Sequence, residues 1–258
     1  MTAALEGIRA LLVDLEGTVY QDGRLIPGAA AALAAARERG VEHVFVTNTT
    51  SRPRSVLARE LSGMGLRVDP SQIFTAPRAA REHLLSRGMR RAHFLLRPAL
   101  LEDFDGVEPA DSGAEAVVLG DLGDEMTYTR LNRAFRLLLS GAELVALARN
   151  RYWRSADGLM LDAGPFVAAL EHASGKTATL AGKPSPAFFA AALASLDASH
   201  EETAVVGDDL ESDVGGGQAA GMRGVLVTTG KFRPGDLEGS SIRPDAVLES
   251  LADLPRLL

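Results

Sequence analysis

Two carboxylates, Asp14 and Glu16, follow directly on an apolar run in the segment VDLEGTVY, residues 13–20. A buried strand is not normally closed by two acids, so the segment is a candidate for chemistry rather than for packing. A carboxylate binds hard divalent cations such as Mg²⁺ and attacks phosphorus as a nucleophile. A second acid beside it is suited to protonating a leaving oxygen and then taking a proton from water. Gly17 permits the tight exit from the strand that this arrangement needs.

Polar residues end two further apolar runs. Thr47 and Asn48 close the run at 41–47, and Asp208 closes the run at 203–208. The carboxyl ends of parallel strands form the ligand crevice of an open sheet, so we expect these side chains to converge with Asp14. Lys183 stands just before a predicted helix start, where backbone N–H groups favour an anion. A cation and donors around a carboxylate are suited to phosphoryl transfer.

Strand and helix patterns alternate along the chain, with Gly and Pro between them. The predicted strands cover residues 8–14, 41–47, 92–96, 116–120, 143–148, 178–182, 203–208, 223–230 and, as an edge strand, 245–250. The predicted helices cover residues 29–40, 53–63, 127–141, 164–175 and 186–196. This rhythm predicts an α/β fold with a parallel sheet. The chain has no long linker, so a second domain would be an insertion and not a tail.

Composition narrows the class of protein. The chain has 258 residues, enough for one large domain or two modest ones, and a net charge of −7 that argues against a nucleic-acid surface. It has no cysteine, which excludes disulfides, thiol nucleophiles and thiolate metal sites. Its five histidines lie far apart, so a metal site should be built from oxygen. No apolar run is long enough for a membrane span, and the N-terminal segment lacks a signal-type pattern, so we expect a cytoplasmic protein.

Three familiar motifs are absent or incomplete. The segment GGGQAAG at 215–221 lacks the GxGxxG pattern after a strand, and we interpret its glycines as permitting close packing of a helix on the sheet. SGKT at 174–177 lacks the earlier glycine of a P-loop, because that position is Leu170. GxSxG is also absent, which disfavours an α/β-hydrolase.

The candidate residues stand in segments that resemble the four motifs of the haloacid dehalogenase superfamily. DLEGTV at 14–19 resembles the signature DxDx[TV], with Glu16 in place of the second Asp. FVTNTTS at 45–51 is similar to the second motif, Lys183 to the third and VVGDDLESD at 205–213 to the fourth. Each motif alone is a weak signal, but four in order with matching spacing are specific.

Longer segments at 158–175, 182–189 and 221–236 are similar to one branch of NagD-type subfamily IIA. That branch contains phospholysine phosphohistidine inorganic pyrophosphate phosphatase and its close paralogue, and the similarity spans nearly the whole chain. The resemblance implies a Rossmann-like parallel-sheet core, formed by residues 1–77 and 180–258, with a large α/β cap domain inserted at 78–179. It implies a Mg²⁺-dependent phosphatase that uses an aspartyl-phosphate.

The resemblance also implies roles for individual residues. Asp14 would be the nucleophile and a metal ligand, Glu16 would supply a backbone carbonyl to the metal and a side chain as acid and base, and Asp208 would complete the protein ligands. Phosphate would be held by Thr47, Asn48 and Lys183. Asp213 would orient the waters of the metal, although it is also a candidate for the N-cap of the next helix.

Glu16 is the basis of an alternative from another class of function. A glutamate is one carbon–carbon bond longer than an aspartate, about 1.5 Å, and displacing a catalytic group by about 1 Å can cost about 100-fold in rate. The alternative is a weakly active or inactive protein that binds a phosphate ligand in a regulatory role. Transfer of the phosphoryl group to an acceptor other than water is a lesser option.

The substrate is the least determined feature. A large cap over the site favours a small phosphorylated molecule, and a nucleotide, a sugar phosphate, pyrophosphate and a phosphoamide all remain open. Specificity contacts would come from the cap, where Tyr152 and Trp153 are candidates and Asn150 and Asp162 are further ones. Homodimerisation through the cap is expected only by analogy with the family.

Overall fold

The structure is a computed structural model that describes residues 5–155 and 158–258. Its strands are, in chain order, β1 Ala10–Asp14, β2 Tyr20–Gln21, β3 Arg24–Leu25, β4 Glu42–Thr47, β5 Ile73–Thr75, β6 Arg91–Leu95, β7 Glu108–Pro109, β8 Ala116–Leu119, β9 Glu143–Ala146, β10 Tyr152–Ser155, β11 Gly158–Leu161, β12 Thr179–Leu180, β13 Thr203–Gly207, β14 Arg223–Val227 and β15 Ala246–Leu248.

The α-helices of the described residues are α1 Ala29–Glu38, α2 Arg54–Gly63, α3 Ala76–Ser86, α4 Tyr128–Leu139, α5 Ala163–Ser174, α6 Pro186–Leu193, α7 Gly216–Ala219 and α8 Pro234–Gly239. Short 3₁₀ helices cover Pro70–Gln72, Pro98–Phe104, Gly123–Glu125 and Leu251–Arg256, and Leu210–Gly215 forms a π-helical turn directly before α7. No described helix combines the length and the apolar character that a membrane span requires.

The chain divides into two compact units. The first consists of the chain up to Thr47, Arg54–Phe74 and Lys183–Leu258, and the second consists of Asn48–Pro53 and Thr75–Gly182. The first unit is therefore built from distant parts of the sequence, as an inserted second domain requires. The assignment of residues 1–77 and 180–258 as catalytic core and 78–179 as cap stays a prediction.

The first unit contains a six-stranded sheet with the order β15-β14-β13-β1-β4-β5. The strands from β15 to β4 pair in parallel, which confirms the predicted α/β class. β1 lies inside this sheet and all five of its residues are buried, because its apolar run has neighbours on both faces. The parallel direction places the carboxyl ends of β1, β4, β13 and β14 at one edge.

The second unit contains a separate five-stranded sheet with the order β12-β9-β8-β6-β7, and all of these pairs are parallel. α4 and α5 pack together over an apolar cluster that includes Leu138, Leu144 and Val167. The second unit also contains a separate two-stranded antiparallel sheet, formed by β10 and β11. The predicted strand at 178–182 is shorter than expected and forms the edge strand β12 of this sheet.

The glycine-rich stretch before β14 packs as the sequence predicts. A Cβ added to Gly217 would lie 2.5 Å from Val205 Cγ2 on β13, and one added to Gly216 would lie 2.6 Å from Phe189 Cε2 on α6. The absence of side chains at these positions lets α7 approach the sheet and α6 closely. This confirms that the glycines permit close helix packing.

Candidate active site

Asp14 is the last residue of β1 and its carboxylate is buried. The register of the sheet pairs Asp14 with Val46 on β4, so Thr47, the last residue of β4, stands one position further along at the same edge. On the other side Val13 pairs with Val206 of β13. Asp208 follows β13 directly and is buried as well. The structure therefore brings Asp14, Thr47 and Asp208 to one edge of the sheet.

The Lys183 side chain joins two carboxylates in the interior of the first unit. Its Nζ donates to Asp14 Oδ1 at 2.5 Å and to Asp213 Oδ1 at 2.6 Å. All three side chains are at least nine-tenths buried. Because charge-assisted hydrogen bonds of this length are strong and directional, the ammonium fixes the orientation of both carboxylates.

Asp213 lies against the backbone and does not cap a helix. A Cβ on Gly207 would lie 2.2 Å from Asp213 Oδ2, so the glycine at the end of β13 is what allows the carboxylate to sit there. The N-cap is instead Asp209, whose Oδ1 accepts from the backbone N–H groups of Glu211 and Ser212 at 3.2 and 2.9 Å. The helix-cap alternative for Asp213 was therefore wrong, because the chain turns at Asp209.

Asp208 is enclosed by backbone from two other loops. Its Oδ2 accepts from the backbone N–H of Lys231 at 2.5 Å. Cβ atoms added to Gly17 and Gly230 would lie 2.2 and 2.1 Å from the same oxygen. Both glycines have a positive φ, of 90° and 66°, which side chains rarely adopt. Asp208 thus occupies a slot that only glycine backbone can form.

Burial raises the pKa of the acids in this cluster. Burial raises the pKa of Asp14, against the lowering effect of the Lys183 ammonium. Burial also raises the pKa of Asp208 to about 6 and that of Asp213 to about 7. For Lys183, burial alone would lower the pKa, but the attraction of Asp14 and Asp213 outweighs it and the net pKa is raised. The amine is therefore charged at neutral pH.

The cluster fits a divalent cation. Asp14, Asp208 and Asp213 each offer a carboxylate oxygen, and these oxygens lie within 4.8 Å of one another. One ammonium cannot neutralise three ionised carboxylates, so a surplus of negative charge remains in a buried place. Hard oxygen donors with surplus negative charge are the chemistry that Mg²⁺ prefers.

Two of the predicted site residues are less buried than the residues of this cluster. Glu16 follows the strand in the turn and its side chain is exposed. Asn48 belongs with Thr49–Pro53 to the second unit, although Thr47 belongs to the first. In the second unit Tyr152 and Trp153 are exposed on β10, and Asp162 Oδ1 accepts from the backbone N–H of Ala163, which makes it the N-cap of α5.

Sequence reasoning missed the loop after β14. Gly230 and Lys231 contact Asp208, and Thr229 Oγ1 donates to the carbonyl of Gly17 at 2.5 Å. The available signal was topological, because β14 is parallel to β13 and must end at the same edge of the sheet.

The sequence matches two family models. One, described as haloacid dehalogenase-like hydrolase, matches residues 11–108, and one described as HAD-hydrolase-like matches residues 180–254. The chain is 42% identical over 248 aligned positions to human haloacid dehalogenase-like hydrolase domain-containing protein 2, covering 96% of this chain and 95% of that protein. It is 36% identical over 259 aligned positions to the Xenopus laevis phospholysine phosphohistidine inorganic pyrophosphate phosphatase, covering 98% and 95%.

Solved structures agree with the sequence matches. The 4-nitrophenylphosphatase of Thermotoga maritima superposes with a TM-score of 0.91 at 33% identity and 98% coverage of each chain. NagD from E. coli K-12 superposes with a TM-score of 0.87 at 27% identity and 98% coverage of each chain. These similarities favour a catalytic protein over the binding protein that Glu16 raised as an alternative. The chain belongs to the haloacid dehalogenase-like hydrolases and is a phosphatase-type hydrolase of their NagD-type subfamily IIA.

Proposed function

We propose that this chain is a Mg²⁺-dependent phosphatase that hydrolyses a small phosphorylated molecule through an aspartyl-phosphate at Asp14. The observation that carries the proposal is the buried Asp14–Lys183–Asp213 arrangement, with Lys183 Nζ 2.5 Å from Asp14 Oδ1 and 2.6 Å from Asp213 Oδ1. A carboxylate held in this way beside a fixed cation is oriented before substrate arrives, and such preorganisation contributes much of the rate in phosphoryl transfer.

The metal would be held by the carboxylates of Asp14 and Asp208 and by the main-chain carbonyl of Glu16. It would supply positive charge against the oxygens of the transferring phosphoryl group. Asp213 would not bind the metal directly. Its carboxylate would hold Lys183 in place and accept a hydrogen bond from the backbone N–H of Asp209. The buried acidic cluster supports this assignment.

The reaction has two displacements at phosphorus. A carboxylate oxygen of Asp14 forms a bond to phosphorus while the bond from phosphorus to the leaving oxygen breaks, and Glu16 gives that oxygen a proton. Water then attacks phosphorus, Glu16 takes back a proton, and the bond between Asp14 and phosphorus breaks. The products are inorganic phosphate and an alcohol or amine, and both acids return to their starting states.

The remaining contacts define the substrate class. Thr47 and Asn48 would hold the phosphoryl oxygens through a hydroxyl and an amide, and Lys183 would add charge. The second unit would act as the cap that limits the substrate to small molecules. One relative is named as a phospholysine, phosphohistidine and pyrophosphate phosphatase and a structural neighbour as a nitrophenylphosphatase, so a screen should contain both phosphoamides and phosphate esters.

The deciding experiment is Asp14→Asn assayed by phosphate release from an aryl phosphate with Mg²⁺. We expect turnover to fall to background, because an amide is not a nucleophile toward phosphorus. Asp22→Asn makes the same chemical change at an exposed turn residue with positive φ, where Asn is tolerated, and should keep full activity. Unchanged turnover of Asp14→Asn would refute the covalent mechanism.

A further inference from the structure

The segment Thr229–Lys231 contacts both parts of the acidic centre. Thr229 Oγ1 donates to the carbonyl of Gly17, at 2.5 Å, in the turn that follows Asp14. Two residues later the backbone N–H of Lys231 donates to Asp208 Oδ2, also at 2.5 Å. One short segment thus connects the turn after β1 to the acid after β13.

Gly17 is restrained on both of its peptide groups. Its N–H donates to the carbonyl of Tyr20 at 2.7 Å, and its own carbonyl accepts from Thr229. Glycine is the residue with the widest choice of backbone angles, so the position of its neighbours depends on such restraints. The peptide between Glu16 and Gly17, which carries the carbonyl expected to face the metal, is held by Tyr20. The Thr229 hydroxyl holds the next peptide, between Gly17 and Thr18, and so limits the rotation at Gly17 that would move the carbonyl of Glu16.

The segment leaves no room for adjustment beside Asp208. A Cβ on Gly230 would lie 2.1 Å from Asp208 Oδ2 and 2.6 Å from Gly17 Cα. The backbones of Gly17 and Gly230 therefore pack closely against each other and against the Asp208 carboxylate, so a shift of the segment moves the carboxylate or the turn.

The segment is itself held by further hydrogen bonds, one to another strand and three within its own turn. On the N-terminal side the backbone N–H of Thr228 donates to the carbonyl of Leu248 at 2.9 Å. On the C-terminal side Arg233 Nη1 donates to the carbonyls of Gly230, Lys231 and Phe232, at 3.1, 3.0 and 2.6 Å. A segment joined to β15 on one side and closed into a turn on the other can transmit its own position to the groups it contacts.

We propose that Thr229 is a positioning residue for the metal centre, whose hydroxyl fixes the turn after Asp14 relative to Asp208. The inference rests on the proposed function. Partners of this kind, one step behind the ligands, typically contribute about 10- to 100-fold to metal affinity or activity. Thr229 touches neither substrate nor the reacting atoms in this scheme and acts through Gly17.

The test compares Thr229→Val with Thr228→Val in the full chain. Both changes replace a hydroxyl by a methyl of the same shape, and Thr228 Oγ1 donates to the carbonyl of Glu249 at 3.2 Å, outside the acidic centre. The readout is Mg²⁺ affinity by titration calorimetry without substrate, together with kcat and KM for an aryl phosphate. We expect Thr229→Val to bind Mg²⁺ about 10-fold more weakly, with kcat lowered more than KM is raised, and Thr228→Val to match wild type.

Thr229→Ser keeps the hydroxyl and should restore Mg²⁺ affinity, which a loss of packing alone would not explain. If Thr229→Val does not fold, Thr229→Ala compared with Thr229→Ser tests the same hydroxyl. Wild-type Mg²⁺ affinity in a folded Thr229→Val or Thr229→Ala variant would overturn the positioning role and leave the proposed phosphatase intact. Absence of Mg²⁺ binding and of phosphate release in the wild type would instead overturn the proposed function together with the role of Thr229.

Discussion

Lys183 carries the positive charge on which the buried acids depend. It is 5% exposed and bonds to Asp14 and Asp213, so replacing it with methionine leaves two carboxylates without a cation in a buried place. Removing one partner of a buried ion pair typically costs about 3–5 kcal/mol in the free energy of unfolding. We expect a loss of this size for Lys183→Met at about pH 8, measured by urea denaturation without metal, and a smaller loss at about pH 5, where the acids can be neutral.

This difference between the two pH values is specific to the charge. An equal loss of stability at both would indicate that the methionine side chain merely packs badly. Phosphate release by Lys183→Met should be absent at either pH, because the phosphoryl group would lose its lysine contact as well.

Glu16 combines two roles that can be separated. The metal would meet its backbone carbonyl, whereas proton transfer would use its exposed side chain. Glu16→Gln should therefore lower kcat by about 10²- to 10⁴-fold and leave Mg²⁺ affinity unchanged. Glu16→Asp shortens the side chain by about 1.5 Å and should also lower kcat. A large gain in kcat for Glu16→Asp would support the weakly active protein instead.

At the scale of elements, the glycine-rich stretch at 215–217 provides a pair of matched substitutions. Gly217→Ala places a Cβ 2.5 Å from Val205 Cγ2 on a buried strand, and overpacking of this kind costs about 1–3 kcal/mol. Gly215→Ala meets the side chain of Ile242, at 2.6 Å from Cδ1 and 3.3 Å from Cγ1, and the carbonyl oxygen of Leu210 at 3.4 Å. The flexible end of Ile242 can move away, which the Val205 side chain on its buried strand cannot do as easily. Gly217 lies in α7 and Gly215 ends the π-helical turn before it. In a helix, alanine is intrinsically favoured over glycine by about 1 kcal/mol. We expect denaturant melts to show a clear loss for Gly217→Ala and little change for Gly215→Ala.

The strongly apolar elements were predictable from the sequence. Runs such as β1 and β13 are buried on both faces, and a nearly continuous apolar pattern indicates this directly. Helix α3 was predictable but was not predicted, since its buried residues, such as Ala76, Ala80 and Leu84, recur at helical spacing and Pro77 stands in its first turn. The hairpin β10–β11 was missed for another reason, since its large apolar side chains, including Trp153 and Leu161, are exposed.

The candidate site was likewise predictable only in part from the sequence. The residues at strand ends, Asp14, Thr47 and Asp208, follow from the rule that parallel strands end at one edge. The partners of these residues did not follow, because the contact of Thr229 with Gly17 depends on a loop conformation that no periodic pattern encodes. The exposure of Glu16 likewise depends on the turn at Gly17, whose positive φ sets the direction of the chain after β1.

At the scale of the whole molecule, we expect Mg²⁺ binding and the stability that it adds to depend on pH. Burial raises the pKa of Asp208 to about 6 and that of Asp213 to about 7 in the metal-free protein. These acids contribute stability when they are protonated, and that contribution is lost as the pH rises through about 6 to 7. Mg²⁺ needs deprotonated ligands, so it should stabilise the protein most where the metal-free form is weakest.

Thermal unfolding with and without Mg²⁺ measures this linkage. We expect the increase in Tm caused by Mg²⁺ to be larger at about pH 8 than at about pH 5.5. Asp208→Asn removes one proposed ligand and should reduce the increase at both pH values. An Mg²⁺ effect that is independent of pH would show that these carboxylates do not bind the ion.

The interleaved chain of the first unit has a consequence for synthesis on the ribosome. β1 is flanked by β4 and β13, but β13 begins only at Thr203, after the complete second unit has been made. At about 5–20 residues per second, the backbone edge of β1 that pairs with β13 remains unpaired for many seconds. During this time Thr75–Gly182 can already fold. A nascent or prematurely ended chain would therefore carry a folded second unit beside an aggregation-prone strand, and chaperone contact should concentrate on residues 8–14 during that interval.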